Sequence, residues 1–202
     1  MKVCVCGGTN PATNPKFYSN AIKMGKLLCV NDVEMVWGGN PFGVLSLVHE
    51  QYLENKKSNT LVMPKAYEED LKLMKSDKKN QKIYKTEQVM ERTQQMFALS
   101  DVVVILPGGI GTIYEFWTAL EAKRAGEYDI TIILLNYKDF FKHQLKHFDF
   151  INKNGFTKIG VGGSPYKIEP TELFKVVRTP EEVIDEIKRL ADFKNINRNN
   201  LL

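Results

Sequence analysis

The stretch Val102-Val-Val-Ile-Leu-Pro-Gly-Gly-Ile-Gly-Thr-Ile-Tyr-Glu115 constrains the fold of this chain more than any other. Val102 to Leu106 is a short, unbroken run of β-branched and apolar residues, the pattern of a parallel strand covered on both faces. Pro107 has no N–H and is expected to end that strand. Gly108, Gly109 and Gly111 allow a tight turn and a close approach of backbone to a ligand. Thr112 is then expected to open a helix, with Glu115 three residues on. Free N–H groups at a helix start, together with the helix dipole, make an anion site. Gly108, Gly109, Ile110, Gly111 and Thr112 are therefore read as a phosphate cradle. A structural alternative stands beside this one. Thr112-x-x-Glu115 has the spacing of a capping box, in which each side chain satisfies an end N–H of its own helix. The same spacing recurs at Thr179-Pro-Glu-Glu182, with Pro180 in the favoured first helical position, and that copy is read as purely structural. The glycines distinguish the first copy, because capping a helix needs no Gly-Gly-x-Gly.

Strands and helices are expected to alternate along the whole chain. Lys2–Cys6, residues 33–37, 59–63, 82–86, 102–106, 130–135 and 174–177 read as strands. Residues 15–30, 44–53, 87–99, 112–126, 140–151 and 180–190 show helical apolar spacing. The lysine-rich segment 65–81 reads as a solvated loop with room for one helical turn, or as a cover over a site. Residues 154–170, rich in glycine, read as a loop. This alternation predicts an α/β, Rossmann-like doubly wound parallel sheet with helices on both faces. One domain is expected over residues 1–192, followed by a polar tail over 193–202. In such folds ligands bind at the carboxyl ends of the strands. Three glycine turns follow strands: Gly7-Gly8-Thr9, Gly38-Gly39 running on to Gly43, and Gly108 to Gly111. All three should meet along one edge and build one site.

Composition excludes several classes. At 43% apolar and 26% charged residues the chain is that of an ordinary folded protein. Its net charge of +4 comes from lysines interspersed with acids, so no nucleic-acid partner is expected. No apolar segment approaches membrane length, and no secretory leader is expected, since the first apolar run is short and meets Gly7-Gly8. Cys4, Cys6 and Cys29 read as reduced core residues, which implies an intracellular, cytoplasmic protein. His143 and His147 lie four apart on a helix without a zinc-type glutamate and read as surface residues. Arg92, taken alone, reads as a solvated helix residue. No metal is expected.

Pro107-Gly-Gly-Ile-Gly-Thr-Ile-Tyr-Glu115 matches the P-G-G-x-G-T-x-x-E signature of the Lonely-guy family, whose members are often labelled possible lysine decarboxylases. The resemblance runs over most of the chain. Cys6-Gly7-Gly8-Thr9 resembles the family's C-G-S-S start, Trp37-Gly-Gly-Asn-Pro-Phe-Gly43 its Y-G-G-G-x-x-G turn, and Met90-Glu-Arg92-Thr-Gln-Gln-Met96 its H-x-R-K-x-x-M segment. The resemblance implies a phosphoribohydrolase that cuts the N-glycosidic bond of a nucleoside 5′-monophosphate, AMP or a cytokinin ribotide, to free base and ribose 5-phosphate. It places Arg92 and Glu115 on the family's catalytic pair, and it implies a homodimer. The chain departs from the family at Met90, Thr93, Asn40, Leu45, Ser46, Tyr114 and Ala122. These changes spare the cradle and the Arg92/Glu115 pair and are expected to fall around the ribose and base. The decarboxylase label lacks support, because no lysine stands in a context diagnostic of a pyridoxal phosphate Schiff base.

Hydrolysis of such a bond passes through an oxocarbenium-like state. Glu115 is expected to orient the ribose hydroxyls, activate water or stabilise the cation. Arg92, permanently charged and a poor proton donor, is expected to act electrostatically. No cofactor is required. Two other readings remain open: a non-enzymatic nucleotide- or cofactor-binding protein of the same fold, and a nucleoside deoxyribosyltransferase-like enzyme that passes the sugar between bases with Glu115 as nucleophile.

Overall fold

Parallel strands form where the chain runs through short β-branched stretches buried on both sides. The computed structural model describes residues 1–156 and 172–199. Its strands are β1 (Lys2–Cys6), β2 (Glu34–Trp37), β3 (Asn59–Pro64), β4 (Gln81–Thr86), β5 (Val102–Ile105), β6 (Thr131–Leu135) and β7 (Lys175–Val177). They make one seven-stranded sheet in the order β4-β3-β2-β1-β5-β6-β7, and every pairing is parallel. The order reverses between β1 and β5, whose ends lie in register with Cys6 opposite Ile105. A crevice opens at such a switch point.

The alternation of side chains along each strand sorts the core into two halves. Val3, Val5, Met35, Trp37, Val102 and Val104 point to one face, where helices α1 (Tyr18–Val30), α2 (Gly43–Glu54) and α7 (Pro180–Asn199) cover them. Cys4, Cys6, Val36, Val103 and Ile105 point to the other, beneath α4 (Val89–Ala98), α5 (Ile110–Arg124) and α6 (Lys142–Lys153). Each large aliphatic side chain sealed this way contributes about 1.5–3 kcal/mol. The three cysteines are free and buried, and His143 and His147 lie exposed on α6. The doubly wound α/β expectation is met.

Several boundaries differ from the sequence reading. Residues 65–81 contain a 3-10 turn (Lys65–Tyr67) and a short helix, α3 (Glu68–Leu73), and Met74 tucks into the core near Gly39. The segment backs the second glycine turn. The last helix runs to Asn199, nine residues past the expected Leu190, because no glycine or proline interrupts that stretch. Most of the expected 154–170 loop lies outside the described residues. The largest difference concerns α5. It starts at Ile110, two residues before the expected Thr112.

Candidate functional site

The crevice at the switch point is a cavity of about 510 Å³, within the range of small-molecule sites. Three strand ends build its floor. Gly7, Gly8 and Thr9 follow β1, Gly38 and Gly39 follow β2, and Pro107 to Gly111 follow β5. The first and third turns are joined directly, the Gly8 N–H donating to the Pro107 carbonyl at 3.0 Å. They are packed so closely that a Cβ on Gly108 would lie 2.7 Å from the Gly8 nitrogen. Only glycine permits that approach.

Helix α5 enters this crevice with its N-terminus uncapped. Gly109 is its N-cap and offers no side chain. The first backbone bond of the helix is from the Ile113 N–H to the Gly109 carbonyl, at 3.0 Å, so the preceding N–H groups have no partner within the helix. A Cβ on Gly109 or Gly111 would meet nothing within 4 Å; both face open space at the cavity rim. Thr112 sits inside the first turn and is buried, its hydroxyl folded over Gly108. The Thr112-x-x-Glu115 capping box is therefore absent. With the helix beginning two residues early, Thr112 is past the cap position, and the Glu115 carboxylate is directed elsewhere.

It is directed to Arg92. The Arg92 Nη2 donates to Glu115 Oε1 at 2.9 Å, with 16% and 9% of the two side chains exposed. Arg92 lies one turn into α4, and its guanidinium packs against the Gly38 backbone, where a Cβ would collide with it. Arg92 Nε is buried with no hydrogen-bond partner among the described residues. Burial pushes the Glu115 carboxyl above the usual carboxylate range, against the opposing pull of Arg92 and of the Cys6 thiol beneath it. Contact with Cys4 (Sγ to Sγ 3.7 Å), burial and Glu115 hold the Cys6 thiol well above its usual value, so it stays protonated. The pair thus presents one buried carboxylate and one buried cation in the same cavity as the open N–H groups at the start of α5. Such an arrangement can bind a phosphate at one end and stabilise developing charge at the other.

The structure brings together Gly7, Gly8, Thr9, Gly38, Gly39, Arg92, Gly108, Gly109, Ile110, Gly111, Thr112 and Glu115 on one cavity wall. Gly43 does not line it. With φ of +73° and +75°, Gly39 and Gly43 take left-handed turns, and a Cβ on Gly43 would lie 2.6 Å from the Gly8 carbonyl. Gly43 supports the first loop from behind, helped by the Leu45 N–H donating to the Gly8 carbonyl at 3.1 Å. Of the departures from the family pattern, only Leu45 lines the cavity. Asn40 and Ser46 cap their own turn (Asn40 Oδ1 to Phe42 N 3.0 Å, Ser46 Oγ to Gly43 O 2.9 Å), and Thr93 is buried on its own helix. Tyr114 and Ala122 border a separate cavity of about 350 Å³ between α4 and α5. The sequence reading missed Asn14, Phe17 and Phe140 as wall residues. Phe17 reads as one apolar residue of a helix and Phe140 as the first residue of another, and no spacing rule joins residues so far apart in the chain.

Comparison with known proteins agrees with the motif. A family model described as possible lysine decarboxylase matches residues 45–187. A probable cytokinin riboside 5′-monophosphate phosphoribohydrolase, LOGL1, of Oryza sativa subsp. japonica is 28% identical over 78% of this chain and 69% of its own length. Cytokinin riboside 5′-monophosphate phosphoribohydrolase LOG1 of Arabidopsis thaliana is 24% identical over 95% of this chain and 83% of its own. Among solved structures, the molybdenum cofactor binding protein of the phototrophic bacterium Rippkaea orientalis superposes with a TM-score of 0.66 at 19% identity, covering 94% of this chain and 96% of that one. That last likeness is one of fold. Among the described residues no helix is long and apolar enough to cross a membrane.

Proposed function

The chain belongs to the possible lysine decarboxylase family, the Lonely-guy family of the sequence resemblance, and from that premise we propose that it hydrolyses the N-glycosidic bond of a nucleoside 5′-monophosphate, AMP or a cytokinin ribotide. The observation that carries this reading is the buried Arg92–Glu115 pair, 2.9 Å apart, lining the same cavity as the uncapped N-terminus of α5. The 5′-phosphate takes the N–H groups of residues 109–112, the Thr112 hydroxyl and the Gly8-Thr9 turn. The ribose then lies against Glu115. As the bond to the base breaks, positive charge builds on the ribose ring and negative charge on the departing base. The Glu115 carboxylate stabilises the first and orients the attacking water. Arg92, held against Gly38, stabilises the second by its positive charge. Water adds to C1′, and its proton leaves with the base. The departures at Asn40, Thr93 and Ser46 do not line the cavity.

The names of the relatives support this reading, as does the family's nucleotide chemistry. A homodimer fits the exposed apolar residues at the starts of α4 and α5: Val89, Met90, Ile110 and Tyr114. A sedimentation measurement giving a monomer at full activity would remove that part.

The deciding experiment incubates the protein with AMP and with isopentenyladenosine monophosphate and follows free base by chromatography, beside Glu115→Gln and Arg92→Ala. Base release lost in both variants upholds the proposal. A nucleotide held intact through long incubation turns the site into a carrier's, and exchange of labelled adenine into nucleotide makes the enzyme a transferase.

A further inference from the structure

The cavity has a second lobe that the reaction leaves unused. Strand order places it. The catalytic pair abuts Gly38 at the end of β2, on one side of β1. The phosphate cradle sits over β1 and β5. Phe140, after β6, and Phe17, before α1, close the cavity on the opposite side of that cradle. In the proposed reaction a mononucleotide with its phosphate in the cradle and its ribose at Glu115 extends towards Arg92 and Gly38, which leaves these two rings without a role.

This far lobe is built with care. Phe17 and Phe140 meet edge to face, with centroids 5.4 Å apart at 87°, and Tyr137 supports Phe17 at 6.2 Å. The turn that carries Phe140 has two consecutive non-glycine residues in the left-handed region, Lys138 at φ 52° and Asp139 at φ 54°. Such strain persists only where the surroundings enforce it. The buried Asn136 does so, its Oδ1 accepting from the Phe141 N–H at 2.9 Å and its Nδ2 donating to Asp139 at 3.3 Å. On the other wall Asn14 caps the turn that carries Phe17, accepting from the Lys16 N–H at 3.0 Å. Two ammonium groups stand beside the rings: Lys16 Nζ lies 5.1 Å from the Phe17 centroid and Lys138 Nζ 5.4 Å from that of Tyr137. Neither takes part in an ion pair among the described residues. The lobe is thus aromatic and continuous with the phosphate cradle, and Lys16 and Lys138, outside the cavity lining, lie beside its Phe17 ring and the Tyr137 ring that supports it.

We propose that this lobe takes a second phosphate and the sugar attached to it, so that the substrate class extends to nucleoside 5′-diphosphates linked to a further sugar or nucleotide. The inference rests on the reading that the cradle holds a nucleotide phosphate. The second phosphate draws the flexible Lys16 and Lys138 side chains in from beside the rings, and the sugar packs its apolar face on Phe17 and Phe140.

The test measures affinity for AMP and for ADP-ribose by calorimetry in the Glu115→Gln protein, which holds both ligands without cleaving them. ADP-ribose is expected to bind about tenfold more tightly than AMP. In Phe17→Leu and in Lys16→Ala, each added to Glu115→Gln, the ratio is expected to fall towards one. Lys16 is exposed, so its replacement leaves folding undisturbed and keeps the test decisive if Phe17→Leu does not fold. Equal affinity in the parent overturns the proposal, and so does a preference for ADP-ribose that survives both substitutions. The readout is a ratio of affinities, so it stands apart from the hydrolysis reading, which fails on its own if AMP is never cleaved.

Discussion

Two helices of this protein begin with the same letters and do different things. Thr179-x-x-Glu182 opens α7 as a cap. The Glu182 N–H donates to Thr179 Oγ1 at 3.3 Å, and the Glu182 carboxylate reaches back to the Arg178 N–H at 2.8 Å. Thr112-x-x-Glu115 sits at the start of α5 and caps nothing. There the helix begins two residues earlier, on Ile110-Gly111, and its end N–H groups stay open to the cavity. Its glutamate is nine-tenths buried and tied to Arg92. The spacing that caps α7 caps nothing at the candidate site; α1, α2, α4 and α6 also start without a side-chain cap, and what sets α5 apart is that its open N–H groups share a cavity with a desolvated carboxylate, as a binding and catalytic centre requires.

The two glutamates should therefore separate sharply under the same substitution. Glu115→Gln is expected to lower base release from AMP roughly a thousandfold, the scale of losing a positioned carboxylate, whereas Glu182→Gln should leave the rate within a factor of two of the parent's. Chromatographic assay of the two variants side by side decides it, and a comparable loss in both would dissolve the distinction. Next in size is Gly38→Ala. Its methyl group would collide with the Arg92 guanidinium, and a shift of that group by about 1 Å should cost on the order of a hundredfold in kcat/KM. An unchanged rate would mean that Arg92 does not act from this position.

The pH dependence sharpens the same contrast. Burial raises the Glu115 carboxyl above its ordinary 4.5, so the ionised form that the mechanism uses appears only at a higher pH. The acid limb of kcat/KM should lie above the usual carboxylate range. Stability moves the opposite way. Just above pH 4.5 the folded protein holds a proton on Glu115 that the unfolded chain has already lost, so stability falls as pH rises from 4.5 through the raised value. Glu115→Gln should abolish that slope and leave the thermal midpoint at neutral pH no lower than the parent's. A midpoint several degrees lower would show the pair with Arg92 to be a net stabiliser.

How much of this could be read from the chain differs by region for physical reasons. The sheet was legible because β5 and its neighbours are short β-branched runs that fit only a doubly covered parallel strand, and the glycine turns mark where the backbone must close up, as between Gly8 and Gly108. The start of α5 was not, because Ile110-Gly111 is a poor helix opening by propensity and only packing over Gly108 sets it there. Arg92 and Glu115 are 23 residues apart; no periodicity links them, and only the resemblance to a family did. Phe17 belongs to an apolar spacing that already explains it as part of a helix, and Phe140 opens a segment whose apolar side is Phe141, Leu145 and Phe148, which hid their place on the cavity wall.

The smallest effect tests the cap itself. Thr179 supplies a side-chain acceptor to its helix end, so Thr179→Ala should cost about 1 kcal/mol of stability, read as a lower urea midpoint at unchanged slope. Thr112 supplies none, and its replacement removes no cap. Thr112→Ala should cost clearly less by the same measurement, although its side chain is 97% buried. Its effect should appear instead in binding: a hydroxyl over Gly108 that meets the phosphate is worth about tenfold in affinity for AMP. Equal stability losses at the two threonines, with AMP affinity untouched, would mean that the first T-x-x-E is an ordinary helix start after all, and that the phosphate sits elsewhere in the crevice.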